Sequence, residues 1–430
     1  MIGWHVDRWK SRFFTIWSGQ ALSLFGSQIL QFALIWWLTE TSGSATVLAI
    51  STLVALVPQI VITPLAGALV DRWDRRKVMI VADGAIALAA LGLALLFGFN
   101  AIKIWHIYAV IFVRSIGGAF HWTAMFAATA MMVPNESLSR IAGLNSAMQG
   151  AATLAAPLIG AVLYATVSMQ AIIAIDILTA ALAILPLLLI AIPKLVAAQA
   201  EATAGSFTLF RDIREGIRYV WRQTGILSII FIAMVLNFVA FPAFTLLPIL
   251  VTKHFGREAI DFATLQSVMG AGMIAGGLLL AAWKGLKRRM VAAMLGLMLQ
   301  GAGILLLGLA PVGMFWLAIV TVVVFSTINP ISNGLLTSTI QVIVPPDKIG
   351  RVFSLLSSGC QLMSPLGLAI AGPVAEAFGV TMWFILAGGA SIMLGLVALF
   401  IPAITRLDTL AAKQSRTSID AVGTEQPPFN

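Results

Sequence analysis

The chain has 430 residues, of which 60% are hydrophobic and only 10% are charged, and its formal net charge at pH 7 is +9. So few charged side chains could not cover the surface of a water-soluble protein of this length, which excludes a soluble globular enzyme or binding domain. Apolar runs of twenty or more residues recur along the whole chain, and each is long enough to cross a bilayer as an α-helix.

These runs predict twelve membrane-spanning helices. The first run is too long for the apolar core of a signal peptide and lacks a small-residue cleavage pattern, so we expect it to remain as a helix. The predicted spans are 13–39, 45–70, 78–99, 104–132, 139–166, 169–192, 223–252, 261–283, 290–310, 313–340, 350–378 and 380–403.

The basic residues indicate the orientation of these spans. With the N-terminus in the cytoplasm, only Lys103, Lys253 and Arg257 of the 26 lysines and arginines fall in outer loops, and Arg114 lies inside a span. This asymmetry follows the positive-inside rule and predicts that both termini are cytoplasmic. The membrane orientation therefore accounts for the excess of basic residues, and no nucleic-acid partner is expected. The single cysteine, Cys360, excludes an internal disulfide, and no metal-binding spacing of Cys and His is present.

A break in hydrophobicity divides the chain into two sets of six spans. Within it, Phe210, Ile213, Ile217 and Trp221 lie at helical spacing among charged residues. We expect an amphipathic helix on the membrane surface, either as a lead-in to the second half or as a docking helix for a partner. The predicted domains are a six-helix bundle over 1–192, a cytoplasmic linker over 193–222, a second six-helix bundle over 223–404 and a disordered cytoplasmic tail over 405–430.

The two halves resemble each other weakly. RIAGLNSAMQGAATLAAPLIG after the fourth span has a counterpart in RVFSLLSSGCQLMSPLGLAIAG after the tenth. Two six-helix repeats are a transporter architecture, in which a site near the bilayer midplane lies between halves that rock about it.

The loop after the second span, GALVDRWDRRK, concentrates charge in an otherwise apolar region. It resembles motif A of the major facilitator superfamily, Gly-x-x-x-Asp-Arg-x-x-Arg-Arg-Lys, at every defining position. These positions are Gly67, Asp71, Arg72, Arg75, Arg76 and Lys77.

The resemblance implies that this loop is a gate that latches the two halves together on the cytoplasmic side. Asp71 would face the start of the eleventh helix near Arg351, and Arg75 would meet Glu136 after the fourth helix. Asp83 is expected to belong to the same gate. The alternative is that Asp83 is part of the proton path. For the loop as a whole, the alternative is topological anchoring by the basic residues alone.

Further segments, among them FVRSIGGAFHWTA, AIIAIDILTA and GRVFSL, resemble the macrolide-efflux branch of this superfamily over nearly the whole chain. The resemblance implies an all-α polytopic fold with twelve helices in two pseudo-symmetric bundles, placed in a bacterial cytoplasmic membrane. It also implies a secondary active exporter of lipophilic or amphipathic small molecules, driven by the proton gradient without a cofactor and acting as a monomer. Antiport rests on this resemblance, because Ala156 stands where antiporter motif C has a glycine before its proline.

Two other functions are alternatives. One is an exporter or importer of a specific metabolite or siderophore, and the other is a membrane sensor that does not transport. No nucleophile with a base and no phosphate-binding Gly-rich loop with Lys is present, so an enzyme or a primary pump is not expected.

Three ionisable residues inside the spans are candidates for proton coupling, since a charge near the midplane costs about 2.5 to 3.5 kcal/mol on insertion scales. Arg114 and Gly118 resemble motif B, whose arginine is implicated in proton coupling in related antiporters. His121 lies on the same helix face and either extends a polar path or packs in the core. Asp176 in the sixth helix either carries the proton or forms a structural ion pair.

Substrate contacts are expected from the first, fourth, seventh and tenth helices. Apolar and aromatic walls with a few amides suit a bulky amphipathic molecule, although such side chains also serve as core filler. The candidates are Gln28, Gln31, Trp36, Phe120, Met125, Asn237, Phe241, Phe244, Asn329 and Asn333.

Overall fold

The computed structural model describes residues 9–192, 214, 217–282 and 288–409. These residues form no β-strand, and they contain twelve helices that are long and apolar enough to cross a membrane. The predicted all-α polytopic fold class is therefore confirmed. The helices are α1 (Trp9–Ser42), α2 (Ala45–Val70), α3 (Arg75–Gly98), α4 (Ile104–Met132), α5 (Asn135–Thr166), α6 (Met169–Leu189), α7 (Thr224–Thr245), α8 (Ala259–Ala282), α9 (Arg289–Leu309), α10 (Phe315–Ile343), α11 (Pro346–Phe378) and α12 (Val380–Phe400).

The helix bounds agree best with the predicted spans where the chain carries a clear stop or start signal. Ser44 caps α2 by accepting a hydrogen bond from the amide of Val47 at 3.3 Å. The seventh span departs most from its prediction, since α7 ends at Thr245 and a short helix, Leu247–Ile249, and a π-helical turn, Leu250–His254, follow it. The helix breaks here because Pro248 has no amide hydrogen with which to continue the hydrogen-bond pattern.

One compact unit contains α1 to α6 together with Thr245–Ser267. Helix α1 packs against α5 and α6, α2 packs against α4, and α3 packs against α4 and α6. The contact of α1 with α6 is close at Gly26, where a Cβ atom would lie 2.2 Å from the Oγ1 atom of Thr179. Small residues at such positions let membrane helices approach each other.

The segment Thr245–Ser267 packs within this unit through aromatic side chains. The ring of Phe262 stacks on the rings of Phe32 and Trp36, with centroid separations of 5.5 Å and 5.9 Å. Ser267 donates a hydrogen bond to the carbonyl of Leu154 at 2.6 Å. The predicted second bundle, 223–404, includes this segment, whereas its contacts group it with α1 to α6.

The other compact unit contains α7 as far as Phe244, α8 from Val268, and α9 to α12. Helix α9 packs against α10 and α12. A Cβ atom at Gly388 of α12 would lie 2.3 Å from the amide nitrogen of Leu305 of α9, so this pair of helices also depends on glycine for its close approach.

The chain after α12 is helical over 402–409, and this helix belongs to the second unit. Ile404 and Leu407 are buried, and the Asp408 carboxylate accepts a hydrogen bond from the amide of Met290 at 2.8 Å. The predicted disordered tail is thus wrong at its start, because this carboxylate caps the first turn of α9. Residues 410–430 lie outside the described residues, as do 193–213, 215 and 216 of the predicted linker, including Phe210 and Ile213.

Replacing Asp74 by alanine is expected to destabilise the start of α3. The Asp74 carboxylate accepts hydrogen bonds from the amides of Arg76 at 3.1 Å and Lys77 at 3.4 Å. The change should lower the free energy of unfolding by about 1 kcal/mol, read as a lower Tm in detergent, because the amides at the helix start lose their acceptor. Asp74→Ser keeps an acceptor and should retain most of the stability. A Tm of wild-type value in Asp74→Ala would contradict the capping role.

Candidate functional site

A buried ion pair joins α4 to α6 in the first unit. The Nη1 atom of Arg114 donates to the Oδ2 atom of Asp176 at 2.7 Å, and the Asp176 side chain is only 2% exposed. Ser27 of α1 donates to the other carboxylate oxygen at 2.9 Å, and its backbone carbonyl lies 3.5 Å from the Nη2 atom of Arg114. Both carboxylate oxygens are therefore bonded, as a stable buried ion pair requires.

A second polar cluster joins α1, α3 and α4. The Nε2 atom of His121 lies 2.9 Å from the Oε1 atom of Gln20 and 3.5 Å from the Oδ1 atom of Asp83. Gln20 also donates from its amide nitrogen to the Oδ2 atom of Asp83 at 3.4 Å. The imidazole tautomer with its proton on Nε2 would donate to these oxygens.

Both clusters border one cavity of about 210 Å³. Asp83, His121, Gln20, Arg114 and Ser27 line it, whereas the carboxylate of the ion pair lies behind this lining. Within the described ranges, no group of three or more His, Cys, Asp and Glu side chains is placed to bind a metal ion. The cavity therefore offers one carboxylate and one imidazole directly to water or to a small solute.

The position of Asp83 differs from the expectation that it belongs to the gate. Asp83 is buried, and its described contacts are those with Gln20 and His121. No contact with Asp71 or Arg75 is present among the residues that the structure describes. The physical reason is its place on α3, about two turns beyond Arg75, where the side chain meets α1 and α4 rather than the loop.

The motif A loop contains one ion pair of its own. The Nη2 atom of Arg75 lies 3.7 Å from the Oδ1 atom of Asp71, whose side chain is 75% exposed. Arg75 is buried, and its Nε atom has no hydrogen-bond partner among the described residues. The expected partner, Glu136, is exposed in the first turn of α5, and no contact between it and Arg75 is present in the described part of the chain.

Arg76 binds the end of a helix within the same unit. Its guanidinium donates hydrogen bonds to the carbonyls of Leu187 and Leu188 near the C-terminus of α6. A cation at this end is favoured, because the last carbonyls of a helix lack partners and carry a partial negative charge. Lys77 is exposed, and a Cβ atom at Gly67 would meet no described atom within 4 Å.

The second unit contains a larger cavity of about 510 Å³. Its walls come from α7, α8, α9, α10, α11 and α12 and are mainly apolar. Five of the predicted substrate contacts line it: Asn237, Phe241, Phe244, Asn329 and Asn333.

A chain of amides crosses the wall of this cavity. Asn333 donates to the Oδ1 atom of Asn329 at 3.2 Å, and Asn329 donates to the Oε1 atom of Gln300 at 3.1 Å. Gln300 in turn donates to the hydroxyl of Ser332 at 3.2 Å. These bonds hold the amides in fixed directions, and Asn333 is the exposed end of the chain.

The other predicted substrate contacts lie elsewhere. Met125 lines the 210 Å³ cavity, and Phe120 stacks on Trp73 at a centroid separation of 6.3 Å. Trp36 is 1% exposed, and its indole nitrogen donates a hydrogen bond to Glu40 at 2.7 Å. Its ring is therefore not accessible to a substrate in this arrangement. Gln28 and Gln31 are half-buried on α1, and neither of the two cavities described above includes them in its lining.

Several residues of these sites escaped the sequence analysis, among them Gln20, Ser27 and Gln300. Gln20 and Ser27 are seven residues apart on α1, and that spacing places them on one helix face. Gln300 is the one strongly polar side chain in the interior of α9, and a lone amide in an apolar span was a signal of a buried polar contact.

Comparison with known families and proteins gives consistent matches. The family model of the Major Facilitator Superfamily matches residues 16–368. Macrolide efflux protein A of Streptococcus pyogenes is 34% identical over 402 residues, which cover 94% of this chain and 98% of that protein. The multidrug efflux pump Tap of Mycolicibacterium fortuitum is 27% identical over 404 residues, which cover 90% of this chain and 95% of that protein.

A solved structure shares the fold at low sequence identity. The inward-open conformation of the xylose transporter XylE from E. coli aligns with a TM-score of 0.64 at 14% identity, covering 90% of this chain and 96% of that one. At this identity the likeness concerns the fold alone.

Proposed function

The chain belongs to the major facilitator superfamily, and we propose that it is a secondary active exporter of lipophilic or amphipathic small molecules of the drug or macrolide class. Relatives whose names describe macrolide or multidrug efflux support the direction and the substrate class. The distribution of basic residues supports a location in a bacterial cytoplasmic membrane with both termini in the cytoplasm. Transport would proceed by alternating access, as in other proteins built from two six-helix repeats.

The observation that carries this proposal is the cavity of the second unit. Its volume of about 510 Å³ lies within the usual range of small-molecule sites. Phe241 and Phe244 supply apolar surface, while Asn237, Asn329 and Asn333 supply hydrogen-bonding groups. A bulky compound with a few polar atoms would bury its apolar surface here and be oriented by the amides.

Uptake of a radiolabelled macrolide into inside-out membrane vesicles tests the proposal. We expect saturable uptake under an imposed proton gradient and no accumulation when the gradient is collapsed. Asn333→Ala should raise KM by about three- to tenfold, since one hydrogen bond contributes about 0.5 to 1.5 kcal/mol.

The matched control for this variant is Gln223→Ala. It removes an exposed amide before α7, outside the lining of the cavity, and should leave KM unchanged. Vesicles that accumulate neither the macrolide nor a lipophilic dye would contradict the proposed substrate class and would favour a transporter of one specific metabolite.

We further propose that the coupling proton enters through the cavity of the first unit. Asp83 and His121 line this cavity and are in contact, so the proton can reach them from water. Asp176 is held by Arg114 and Ser27 behind the lining, which suits a carboxylate that positions the arginine. The motif A loop, with Asp71 and Arg75 at its centre, is proposed as the cytoplasmic gate.

A further inference from the structure

A crevice between α3 and α4 begins at the motif A loop, and its walls lie outside the two cavities assigned to transport. It encloses about 810 Å³ and lies entirely within the first unit. Val81, Ala85 and Phe112 belong to its apolar walls, and Arg72 and Lys77 stand at one end. A site of this kind matches a ligand with one anionic end and one long apolar part.

The crevice is distinct from the polar cavity of the same unit. Along α4, Arg114, Gly118 and His121 line the polar cavity, whereas Ile116 and Phe120 line the crevice. These two sets lie on different faces of the helix, since each set repeats at a spacing of three to four residues. A ligand in the crevice would therefore not share the proton site.

The walls of the crevice are placed to meet lipid. Val81 is 69% exposed and Phe112 is 47% exposed, although both belong to membrane-spanning helices. Trp73 lies at the charged end and is 52% exposed. Tryptophan is enriched at the level of lipid headgroups, so the charged end is expected at the membrane interface and the walls in the hydrocarbon.

Two cations at this end are available to a ligand. Arg72 and Lys77 are exposed, and neither side chain has a hydrogen bond or ion pair with the described residues. Asp74 is the other charged residue of the lining, and its carboxylate caps the start of α3. Arg76, by contrast, is occupied by the carbonyls at the end of α6.

We propose that this crevice binds an anionic phospholipid of the cytoplasmic leaflet. Its phosphate would lie on Arg72 and Lys77, and one acyl chain would lie along the walls from Lys77 toward Ala85. These two residues are eight positions apart on α3, which gives the walls a length of about 12 Å into the hydrocarbon. A soluble phosphate would use only the cations and would leave the apolar walls exposed.

Native mass spectrometry of the purified full-length protein tests this proposal. The protein is titrated with phosphatidylglycerol or with phosphatidylcholine of the same acyl chains, at low ionic strength, and the bound lipid is counted. We expect tighter binding of phosphatidylglycerol. Arg72→Gln/Lys77→Gln should weaken it by about 30-fold, since a basic residue at a membrane surface contributes about 1 kcal/mol and 1.4 kcal/mol is tenfold.

Two further arms separate the crevice from general surface charge. Arg140→Gln/Arg406→Gln removes the same number of exposed cations outside the crevice and should bind phosphatidylglycerol like the wild type. Ala85→Phe, or Val81→Trp if that protein does not purify, fills the walls without changing charge and should also weaken binding.

Four results would overturn the proposal. Two of them are equal binding of the two lipids and wild-type binding of phosphatidylglycerol by Arg72→Gln/Lys77→Gln. The third is wild-type binding by Ala85→Phe or Val81→Trp. The fourth is complete displacement of phosphatidylglycerol by glycerol 3-phosphate, a soluble phosphate without acyl chains.

Discussion

Replacing Arg114 by alanine is expected to remove most of the folded protein and all proton-driven efflux. The change leaves the Asp176 carboxylate, which is 2% exposed, without its cation in the interior of the first unit. Breaking a buried pair by removing one partner costs about 3 to 5 kcal/mol. The measurements are the yield of monodisperse protein and its Tm in detergent, followed by efflux in vesicles that contain equal amounts of protein.

Two comparisons make this prediction specific to the ion pair. Arg140→Ala removes an exposed arginine of α5 and should change stability by no more than about 0.5 kcal/mol. Arg114→Gln/Asp176→Asn removes both charges, so it should recover much of the yield while efflux stays low. If the single Arg114 variant unfolds at the wild-type temperature, the pair does not hold α4 to α6.

Replacing Asp83 by asparagine is expected to uncouple substrate transport from the proton gradient. The side chain keeps its size and its place beside Gln20 and His121, but it can no longer bind and release a proton. Proton-driven accumulation of the substrate should fall to the level seen without a gradient, whereas exchange of labelled for unlabelled substrate should continue. Both assays use the same vesicles, which excludes a difference in expression as the cause.

The matched control is the same chemical change at Asp71. This carboxylate is proposed to belong to the gate, so Asp71→Asn should slow exchange and driven efflux together while leaving the protein folded. His121→Gln removes the imidazole beside Asp83 and should resemble Asp83→Asn. Driven accumulation at the wild-type level in Asp83→Asn would show that the proton binds elsewhere, with Asp176 as the next candidate.

The membrane spans could be predicted well from the sequence, because hydrophobic length and end signals are local properties. α2 and α4 begin and end at the predicted residues, and the stop of α2 comes just before the charged motif A loop. The seventh span was predicted as one helix, since hydropathy does not register the break before Pro248. Packing of the segment Thr245–Ser267 through Phe262 depends on aromatic contacts that are far apart in sequence.

The site could be predicted only in part, because pairing between helices is not a local property. Arg114, Asp176 and His121 were found from the cost of a charge in a span. The contact of Arg114 with Asp176, however, joins residues 62 positions apart and depends on α4 and α6 both packing against α1 and α3. Asp83 was assigned to the gate from its closeness in sequence to motif A, and only the fold places it beside His121.

The most direct test of the account is the movement of protons during efflux in proteoliposomes. Purified protein is reconstituted with substrate and a pH-sensitive dye inside, and the vesicles are diluted into buffer without substrate. We expect the interior to become more acidic as substrate leaves, because each substrate exchanges for an entering proton, and we expect Asp83→Asn to abolish this change. Efflux by the wild type at full rate with no change of internal pH would contradict this expectation.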